Sequence, residues 1–594
     1  MPDPPCAAEL RQRVLAWIDD DPEPADQAEL SALLTRAGGA DAAARAAAAD
    51  LAGRFAGRLT FGTAGLRGAV GAGPNRMNRA VVRATTAAVA GWLFARDPSA
   101  ASAGVVIGWD ARHRSDQFAE EAAAVLAGAG IAVRLLPPRS PTPLLAFSVR
   151  RLSAAAGIMI TASHNPPADN GYKLYLADGA QIIPPVDSEI EKGIQALGPL
   201  ASVAVAPPDS TLIARLGDEI AEAYLGAITA APWLPAAKQA RAPAAQPPGT
   251  PSAPEAAVKP AALRVVYTPL HGVGGKLAVR AMALAGFGEP HVVVAQEEPD
   301  PAFPTVAFPN PEIPGVLDLA CADGGRLGAD LVIANDPDGD RLAAAVPDTS
   351  AAGGWRMLTG DQVGALLGAF LLAETASDPV PASRLVASTV VSSTMLAKIA
   401  ADAGVRYADT LTGFKWIVRA GERVGDFRFV FGYEEALGYA VGDVVHDKDG
   451  ISAALALLAL ASAARGAGDS LLTRWDALEA AHGVHLTAQL NLPTHSPAAV
   501  MVRLRAHPPG ALGEAPVTEV ADLASGRDLP PSDVLIYRLA GARAVIRPSG
   551  TEPKLKAYLE VVEPVGPAGL VAARKAAQAR MAPLRTAVGE LLGG

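Results

Sequence analysis

A serine and a histidine stand side by side in an irregular turn, where a hydroxyl could accept a transferred group. The segment 161–173 reads Thr-Ala-Ser-His-Asn-Pro-Pro-Ala-Asp-Asn-Gly-Tyr-Lys and follows the apolar run 154–160. Asn and Pro keep a turn irregular, so we expect Ser163 to be exposed at its tip and able to carry a phosphoryl group. His164 can donate a hydrogen bond, and Lys173 can return as a cation or proton carrier. An ordinary turn with a capping serine explains this segment, taken alone, equally well.

Three aspartates at alternate positions form a second candidate site. The run Asp336-Pro-Asp-Gly-Asp-Arg341 comes just after the apolar run 331–334. Mg²⁺ prefers oxygen ligands, and three neighbouring carboxylates repel one another without a cation. An EF-hand loop fails on spacing, because its sixth position would be Arg341 and its twelfth Pro347. The sequence therefore predicts a magnesium site, with a solvated acidic turn as the alternative; its ligands would be Asp336, Asp338 and Asp340.

A third run combines an arginine with hydroxyls and a glycine turn. Residues 547–554 read Arg-Pro-Ser-Gly-Thr-Glu-Pro-Lys. An arginine fork and free backbone amides can surround a phosphate dianion. The alternative is a Pro/Gly loop with an incidental arginine.

Several weaker motifs become candidate binding sites when they are considered together with these three. The glycine-rich turn 61–68 carries Arg67, which could face an anion, and the run 432–436 presents two glutamates that could hold sugar hydroxyls. Paired glutamates alone suggest a glycosidase or a solvated loop as readily. The turn 412–415 and Lys448, which precedes an apolar helix, are further candidates. The run 271–275, His-Gly-Val-Gly-Gly, does not fit the dinucleotide-binding spacing and is interpreted as tight strand-to-helix packing.

Alternating short strands and helices must position these motifs. The sequence predicts an α/β fold with largely parallel sheets, followed by a smaller α+β region that closes with a helix from about residue 569. Ser115 is the expected N-cap of a helix that ends at 129. Residues 230–262 are rich in Ala and Pro, and we expect a flexible insert there. The predicted strands are 105–108, 131–136, 264–267, 291–295, 331–334, 486–492 and 534–539.

Composition narrows the class of protein. The chain has 594 residues, half of them apolar, and a net charge of −10. That balance argues against a nucleic-acid partner, which usually needs a basic face. The two cysteines, Cys6 and Cys321, give no disulfide framework, which fits a reducing cytoplasm. The apolar stretch 451–464 is shorter than the roughly 18 residues of a membrane span, and the first ten residues are unlike a signal peptide, so we expect no membrane association.

With these motifs in order, the sequence resembles the α-D-phosphohexomutase superfamily, in the branch of phosphoglucomutases with a Phe-Gly-Thr-Ala-Gly-Leu-Arg-Gly turn and their phosphopentomutase-like relatives. The resemblance runs from about Arg58 to Tyr558. It implies three related α/β domains with mixed sheets and a C-terminal α+β domain around a central cleft. The boundaries we expect are 1–212 with an N-terminal helical extension, 213–347 with the insert, 348–472 and 473–594.

The resemblance also implies residue roles. Ser163 would be phosphorylated and would ligate Mg²⁺ with the three aspartates, while a sugar bisphosphate would serve as activator and intermediate. Catalytic roles would fall to Ser163, His164, Lys173 and Arg67. The substrate, a small sugar phosphate, would contact Thr63, Arg341, Thr412, Gly413, Glu434, Glu435, Lys448, Arg547, Ser549, Gly550 and Thr551.

Two departures from the family pattern leave questions open. Ala436 replaces a serine that follows the glutamates in many members, and Gly438 replaces a histidine found in simpler members. The proton carrier is therefore expected to be Lys173 or Arg67. The expected activity is reversible 1-phosphate to 6-phosphate isomerisation of a hexose, with glucose first and mannose or a pentose next. A magnesium-dependent sugar phosphatase and an inactive sugar-phosphate sensor are the rivals, and the oligomeric state stays open.

Overall fold

The computed structural model describes residues 6–60, 65–241, 262–377, 380–425, 427–494, 496–527, 529–549 and 554–593. Within these residues the strands form four main sheets, each belonging to one unit of the fold. The first three sheets are mixed and the last is antiparallel, so the predicted succession of α/β units and a different terminal unit is confirmed. The parallel share is smaller than the sequence pattern indicated, because antiparallel strands are added at the sheet edges.

Three helices precede the first sheet and pack around a small apolar core of their own. That core contains Val14, Leu30, Leu51 and Phe55. Asp41 caps the third helix by accepting a hydrogen bond from the backbone N–H of Ala44. The helices are Cys6–Asp20, Pro24–Ala37 and Ala42–Arg54.

The first unit is a six-stranded sheet with helices on both faces. In sheet order its strands are Leu66–Ala69, Asp169–Leu176, Ala156–Ile160, Val105–Trp109, Val133–Leu135 and Ile213–Arg215. The last of these lies just beyond the boundary expected at residue 212. The helices are Arg79–Arg96, Ala100–Ala103, Ser115–Gly128, Thr142–Arg151 and Val186–Gln195.

The second unit is a five-stranded sheet that carries the acidic loop. In sheet order its strands are Trp355–Leu358, Ala343–Pro347, Leu331–Ala334, Val265–Thr268 and His291–Val292. The strand Trp355–Leu358 lies beyond the boundary expected at residue 347. The associated helices are Glu219–Thr229, Pro235–Arg241, Gly275–Leu284 and Asp318–Leu327.

The third unit has a four-stranded sheet and a long buried helix. Asp449 caps that helix, Gly450–Gly466, by accepting from the N–H groups of Ile451 and Ser452. The strands in sheet order are Arg406–Thr410, Arg384–Thr389, Arg428–Glu434 and Gly438–Val441. The other helices are Gly360–Glu374, Met395–Asp402, Phe414–Ile417, Ala420–Val424 and Leu471–His482.

The fourth unit is an antiparallel sheet covered by the closing helix, which begins at Gly569 as expected. In sheet order its strands are Val484–Pro493, Lys554–Glu563, Ala542–Pro548, Leu535–Leu539, Ala515–Asp522 and Ala511–Leu512. Its helices are Pro497–Ala506 and Gly569–Gly593.

The first three units share one continuous apolar core, and the fourth has a core of its own. The shared core joins residues of all three units, among them Leu144, Met282 and Leu457. The fourth unit instead meets the third through a small apolar cluster and through Glu560, which is 3% exposed. The Glu560 carboxylate accepts from the Ser393 hydroxyl and the Thr394 N–H, both at 2.8 Å. The fourth unit is therefore the least integrated.

Two local expectations need correction. Ser115 is the first residue of its helix and not the cap, because its hydroxyl donates to Asp110 at 2.7 Å. The start of the Ala/Pro-rich stretch is ordered, since Trp233 and Leu234 are buried and the Trp233 ring packs edge-on against Phe370. The rest of that stretch, from 242 to 261, lies outside the described residues.

No single helix in the described part of the chain has the length and apolar character needed to cross a membrane. Gly450–Gly466 and Leu471–His482, which meet at a 90° bend, pass that test only as a pair.

Candidate active site

Ser163 lies in a strained turn at the end of the strand Ala156–Ile160. Its backbone has a left-handed φ of 53°, and its N–H donates to the Thr161 hydroxyl at 2.8 Å. Its own hydroxyl donates to Asp336 at 2.9 Å and lies 3.2 Å from Nδ1 of His164. Contrary to the expected exposed tip, Ser163 is only 2% exposed, because the acidic loop of the second unit packs over it.

Arg112 holds this turn, and sequence reasoning missed it. Its buried guanidinium donates to the carbonyl oxygens of Ser163 (2.7 Å), Asn165 (2.6 Å), Pro166 (2.8 Å) and Asp169 (3.0 Å). The only sequence signal is its position just after the strand Val105–Trp109, at the carboxyl end of a buried parallel strand. A fork with several donors suits several carbonyls at once, so Arg112 fixes the backbone that carries the hydroxyl.

The three aspartates converge as predicted. One carboxylate oxygen from each of Asp336, Asp338 and Asp340 lies within 4.8 Å of the others, and all three residues are fully buried. Burial, together with the two neighbouring carboxylates, raises the pKa of Asp336 well above its usual value. In the described part of the chain, Oδ1 of Asp338 and Oδ1 of Asp340 have no hydrogen-bond donor. Buried oxygens without a donor, in an all-oxygen set, fit a hard divalent cation such as Mg²⁺.

The acidic loop is held from two sides. Thr142, at the start of a helix in the first unit, donates from its N–H to the Asp338 carbonyl at 2.9 Å and from its hydroxyl to the Asp338 carboxylate at 2.7 Å. From the second unit, the Val273 N–H donates to the Pro337 carbonyl at 2.8 Å. Gly272 fits against this loop only because it lacks a side chain, since a Cβ there would lie 2.5 Å from the Pro337 Cα. The glycine run is thus tight packing, as expected, and it packs on the acidic loop.

Two lysines neutralise the aspartates. The buried ammonium of Lys173 lies 2.7 Å from Asp338 and 3.1 Å from Asp340, and Lys448 lies 3.2 Å from Asp340. Burial alone would lower the pKa of Lys173, but the two carboxylates outweigh it and raise that pKa. Burial alone would raise the pKa of Asp338, but Lys173 holds it well below its usual value. Lys173 is therefore charged in this arrangement.

Arg67 and Arg341 line the same cavity as Ser163, and His164 lies beside the Ser163 hydroxyl. Burial lowers the pKa of Arg67, whose guanidinium donates to the Asn165 side chain at 3.4 Å. Arg341 pairs with Glu312 at 3.3 Å. Burial, with the positive charges of Arg341 and Arg67, lowers the pKa of His164 well below 6.5. His164 is consequently a neutral imidazole beside Ser163. The predicted contact Thr63 lies outside the described residues.

The third unit supplies the two glutamates. Glu434 accepts from the Gly413 N–H at 2.5 Å, and Glu435 accepts from the Ser392 hydroxyl at 2.9 Å. Desolvation, with repulsion from Glu434, raises the pKa of Glu435 to about 7. Thr412 and Ala436 line the same wall.

The fourth unit supplies a cationic wall. Arg547 donates to the Tyr558 hydroxyl at 3.3 Å, and its buried Nε has no acceptor in the described part of the chain. The Ser549 N–H donates to the Lys554 carbonyl at 2.9 Å. Gly550 and Thr551 lie outside the described residues. Further side chains extend this wall along the sheet, namely Gln489, Asn491, Lys554 and Lys556. Sequence reasoning included Lys554 in the 547–554 motif without giving it a role, and it missed the other three.

All four units meet around one cavity of about 460 Å³. His164, Lys173 and Asp336 do not line it, but each contacts Ser163 or Asp340, which do, and Asp338 contacts Lys173. A serine hydroxyl, a buried acid cluster and a separate cationic wall thus face one small-molecule space. Of the predicted site residues, those lining the cavity directly are Arg67, Ser163, Asp340, Arg341, Thr412, Gly413, Glu434, Glu435, Lys448 and Arg547.

Comparisons with known proteins agree with this arrangement. Phosphoglucomutase/phosphomannomutase family models match four successive stretches: α/β/α domain I at 58–199, domain II at 251–350, domain III at 359–478 and the C-terminal domain at 502–573. A probable phosphomannomutase of Haemophilus influenzae is 38% identical, covering 82% of this chain and 93% of its own. A phosphopentomutase of Mus musculus is 34% identical, covering 94% and 91%. The open form of a Paramecium phosphoglucomutase superposes with a TM-score of 0.65 at 16% identity, covering 91% and 96%, which shows a shared fold.

Proposed function

Because the chain belongs to the phosphoglucomutase/phosphomannomutase family and is a phosphosugar mutase, we propose that it interconverts glucose 1-phosphate and glucose 6-phosphate through phosphorylated Ser163. The observation that carries this proposal is the shared cavity, in which Ser163 faces the acid cluster and Arg547 lines the cationic wall. Such a site can transfer one phosphoryl group while it holds another.

Phosphoryl transfer depends on alignment and charge neutralisation more than on covalent help. In the proposed first step, the sugar's free 6-hydroxyl oxygen bonds to the phosphorus on Ser163 as the bond from phosphorus to Ser163 Oγ breaks. The hydroxyl's proton ends on Oγ, with Lys173 or Arg67 as the proposed carrier. The product is a sugar bisphosphate, and the enzyme becomes dephosphorylated.

The second step is the reverse of the first at the other end of the sugar. The bisphosphate turns over, its 1-phosphate transfers to Ser163, and glucose 6-phosphate leaves. Asp336, Asp338 and Asp340 would hold Mg²⁺ near Ser163. When bound, that cation would draw negative charge from the phosphoryl oxygens and so favour transfer of the phosphoryl group.

The remaining residues have proposed holding roles. Glu434 and Glu435 would accept hydrogen bonds from sugar hydroxyls, with Thr412 and Gly413 beside them. Arg547 and Ser549, with Gly550 and Thr551, would bind the phosphate that is not reacting. Arg341 and Lys448 would lie near the substrate on the side of the cavity that holds Ser163 and the three aspartates.

A pentose phosphate is the second candidate substrate. The Mus musculus relative is named a phosphopentomutase and aligns over 94% of this chain, which is why ribose 1-phosphate belongs in the same test. Mannose 1-phosphate is included in that test because the Haemophilus influenzae relative is named a probable phosphomannomutase.

Turnover of all three sugar 1-phosphates, with Mg²⁺ and a sugar bisphosphate activator, tests the proposal. We expect the highest kcat/KM with glucose 1-phosphate and little free phosphate. We expect Ser163→Ala to reduce turnover to background while the fold persists, since the nucleophile is lost. Ser188→Ala, at an exposed helical serine, is the matched control. Free phosphate as the main product would favour a phosphatase, and undiminished turnover by Ser163→Ala would reject the nucleophile.

A further inference from the structure

The three N-terminal helices, residues 6–54, are attached to the first unit through a buried ion pair. Asp26 belongs to the helix Pro24–Ala37 and is only 3% exposed. Its two carboxylate oxygens accept from the two terminal nitrogens of Arg114, at 2.8 and 3.1 Å. A bidentate pair of this kind fixes the orientation of the arginine as well as neutralising its charge. Asp26 therefore determines where the Arg114 side chain lies.

Arg114 has a backbone conformation that an arginine seldom adopts. Its φ is 64°, in the left-handed region, and it stands immediately before the helix Ser115–Gly128. Such a conformation costs free energy and persists only where the surrounding contacts hold it. The Arg114 side chain contacts Asp26, the Gln117 side chain at 3.1 Å and the Phe118 ring at 5.3 Å. Of these three residues, only Asp26 belongs to a different element and can hold Arg114 from outside.

The backbone next to Arg114 supports the turn of Ser163. Two residues before Arg114, the Arg112 side chain donates to the Ser163 carbonyl at 2.7 Å. The Arg112 N–H donates to Asp110 at 3.0 Å, and the other carboxylate oxygen of Asp110 accepts from the Thr161 hydroxyl at 2.6 Å. That hydroxyl in turn accepts from the Ser163 N–H. A short segment thus joins the buried ion pair to the serine turn.

The same helices support a second segment near the site. Glu29 accepts from the Ala72 N–H at 3.2 Å, and Arg54 donates to the Ala72 carbonyl at 3.1 Å. Glu29 and Arg54 also pair with each other at 2.6 Å. Ala72 comes just after the strand Leu66–Ala69, which carries Arg67. The helices therefore contact the first unit beside two chain segments that lead into the cavity.

We propose that Asp26 is a positioning residue for phosphoryl transfer: through Arg114 it fixes the backbone of Arg112, and so the turn that presents Ser163. This inference rests on the proposed function. Among the described residues that line the cavity, none belongs to the N-terminal helices, so their contribution is indirect. Transfer depends on the alignment of the Ser163 oxygen, whereas the sugar is held by other units. Loss of Asp26 should therefore reduce kcat and leave KM almost unchanged.

Steady-state rates with glucose 1-phosphate, Mg²⁺ and a sugar bisphosphate activator test this. Asp26→Asn keeps the size of the side chain but turns an amide nitrogen toward the guanidinium. We expect kcat to fall about 10-fold and KM to stay within roughly 2-fold of the wild type. Asp26→Glu, which restores the charge, should recover most of the lost kcat. Glu189→Gln removes an exposed pair with Arg96 in the same unit and should keep the wild-type kcat.

A double variant tests the route through Arg112. If Asp26 acts by holding Arg112 in place, Asp26→Asn should change kcat by less than about 2-fold in the Arg112→Lys background. A contribution independent of Arg112 would lower kcat by the same factor in both backgrounds. Arg114→Gln breaks the same ion pair and serves if Asp26→Asn does not fold. Multiplied losses in the double variant, or a wild-type kcat in a folded Asp26→Asn or Arg114→Gln, would overturn the inference.

Hydrogen exchange separates this inference from the proposed function, because it needs no turnover. Peptides that cover 161–166 should exchange faster in Asp26→Asn than in the wild type, whereas peptides from the fourth unit should exchange equally. Unchanged exchange of the serine turn would contradict the positioning role. A wild type without mutase turnover, whose serine turn still depends on Asp26 in this measurement, would count against the proposed function alone.

Discussion

The two ends of the cavity hold charge in opposite ways. At the acidic end Ser163, Asp336 and Lys173 are almost completely buried, and each makes polar contacts within 3.2 Å. At the cationic end Arg547 and Lys556 are half-buried, and the one side-chain hydrogen bond of Arg547 among the described residues is 3.3 Å long. Among the described residues, the serine, lysine and aspartates of the acidic end contact one another before any ligand arrives and leave single carboxylate oxygens for a cation, whereas the side chains of the cationic end make few polar contacts.

This difference between the two ends agrees with the role that the proposed reaction gives to each, namely transfer at the acidic end and phosphate binding at the cationic end. Transfer requires the attacking and leaving oxygens in line, and a misplacement of about 1 Å can cost 100-fold in rate. At the cationic end, the phosphate that is not reacting must be bound, released and bound again after the bisphosphate turns over. The acidic end is built from the three units that share one core, while the cationic end belongs to the unit with a separate core. We therefore expect the acidic end to be rigid, because its units share one core, and the cationic end to be adaptable, because its unit has a core of its own.

Of the changes to residues that support the site, removal of the Arg112 side chain should reduce activity the most, because Arg112 fixes the turn that carries Ser163 at the acidic end. Arg112→Met removes the guanidinium donor from four carbonyls, of which that of Ser163 is buried, and leaves Asp110, 3.3 Å away, without its cation. We expect kcat to fall on the order of 100-fold, because the turn that carries Ser163 loses its fixed geometry. The loss should also lower the unfolding temperature, since a broken buried pair costs about 3–5 kcal/mol. Steady-state rates and calorimetry measure the two effects.

Arg112→Lys is the matched control for this prediction. It keeps the charge opposite Asp110 but cannot donate to several carbonyls at once, since an ammonium lacks the planar fork. Its stability should lie nearer the wild type than that of Arg112→Met, and its kcat should remain low. A lysine variant with wild-type kcat would show that charge, and not the geometry of the turn, is what Arg112 supplies.

Gly272 offers a smaller change at the same end. A methyl group there would lie 2.5 Å from the Pro337 Cα and 2.6 Å from the carbonyl oxygens of Pro337 and Pro269, so we expect Gly272→Ala to shift the acidic loop against the segment that carries Gly272. We expect the Mg²⁺ concentration for half-maximal activity to rise roughly 10-fold or more, the usual range for residues that support metal ligands. Magnesium titration of activity measures this.

Gly288→Ala is its control, because a Cβ at that position meets no atom within 4 Å. An unchanged Mg²⁺ requirement in Gly272→Ala, with unchanged stability, would mean that the acidic loop tolerates displacement. The contrast between a fixed end and an adaptable end would then be wrong.

The sequence predicted the site motifs better than the residues elsewhere in the chain that hold or surround them. The strand 331–334 and the convergence of the three aspartates were predictable, because apolar runs and alternating acids are local patterns. Arg112 was not, since its role depends on carbonyls more than fifty residues away in sequence. Lys556 was not, because a lysine on a terminal-domain strand is usually solvated. The burial of Ser163 was mispredicted because the covering loop comes from another unit.

Fold prediction failed where tertiary packing overruled composition. The stretch near Trp233 is rich in alanine and proline, yet the aromatic contact with Phe370 of the third unit buries it. Similarly, Ser115 has the usual residue type for a helix cap, but Asp110 is a stronger partner for its hydroxyl. The predicted domain boundaries and the residue roles remain predictions.

Glu435 lines the cavity from the third unit and gives the smallest expected effect. Its pKa is raised to about 7 by desolvation and by Glu434. A carboxyl group whose pKa is raised on folding costs stability as pH rises from about 4.5 to 7, and the full cost is present above 7. The ionised form is the better acceptor for a sugar hydroxyl, so kcat/KM should rise several-fold between pH 6 and 8.

Glu435→Gln separates this ionisation from that of the substrate, whose phosphate has a second pKa near 6. In parallel pH profiles, the glutamine variant should keep the substrate's ionisation near 6 and lose the one near 7. Its unfolding temperature at pH 8 should equal or exceed that of the wild type, because the desolvated charge is gone. A profile identical to the wild type would mean that Glu435 is ionised throughout this range. The charges of Glu434 and Glu435 would then be the same before and after the sugar binds, and of these groups only the cationic wall would remain adaptable.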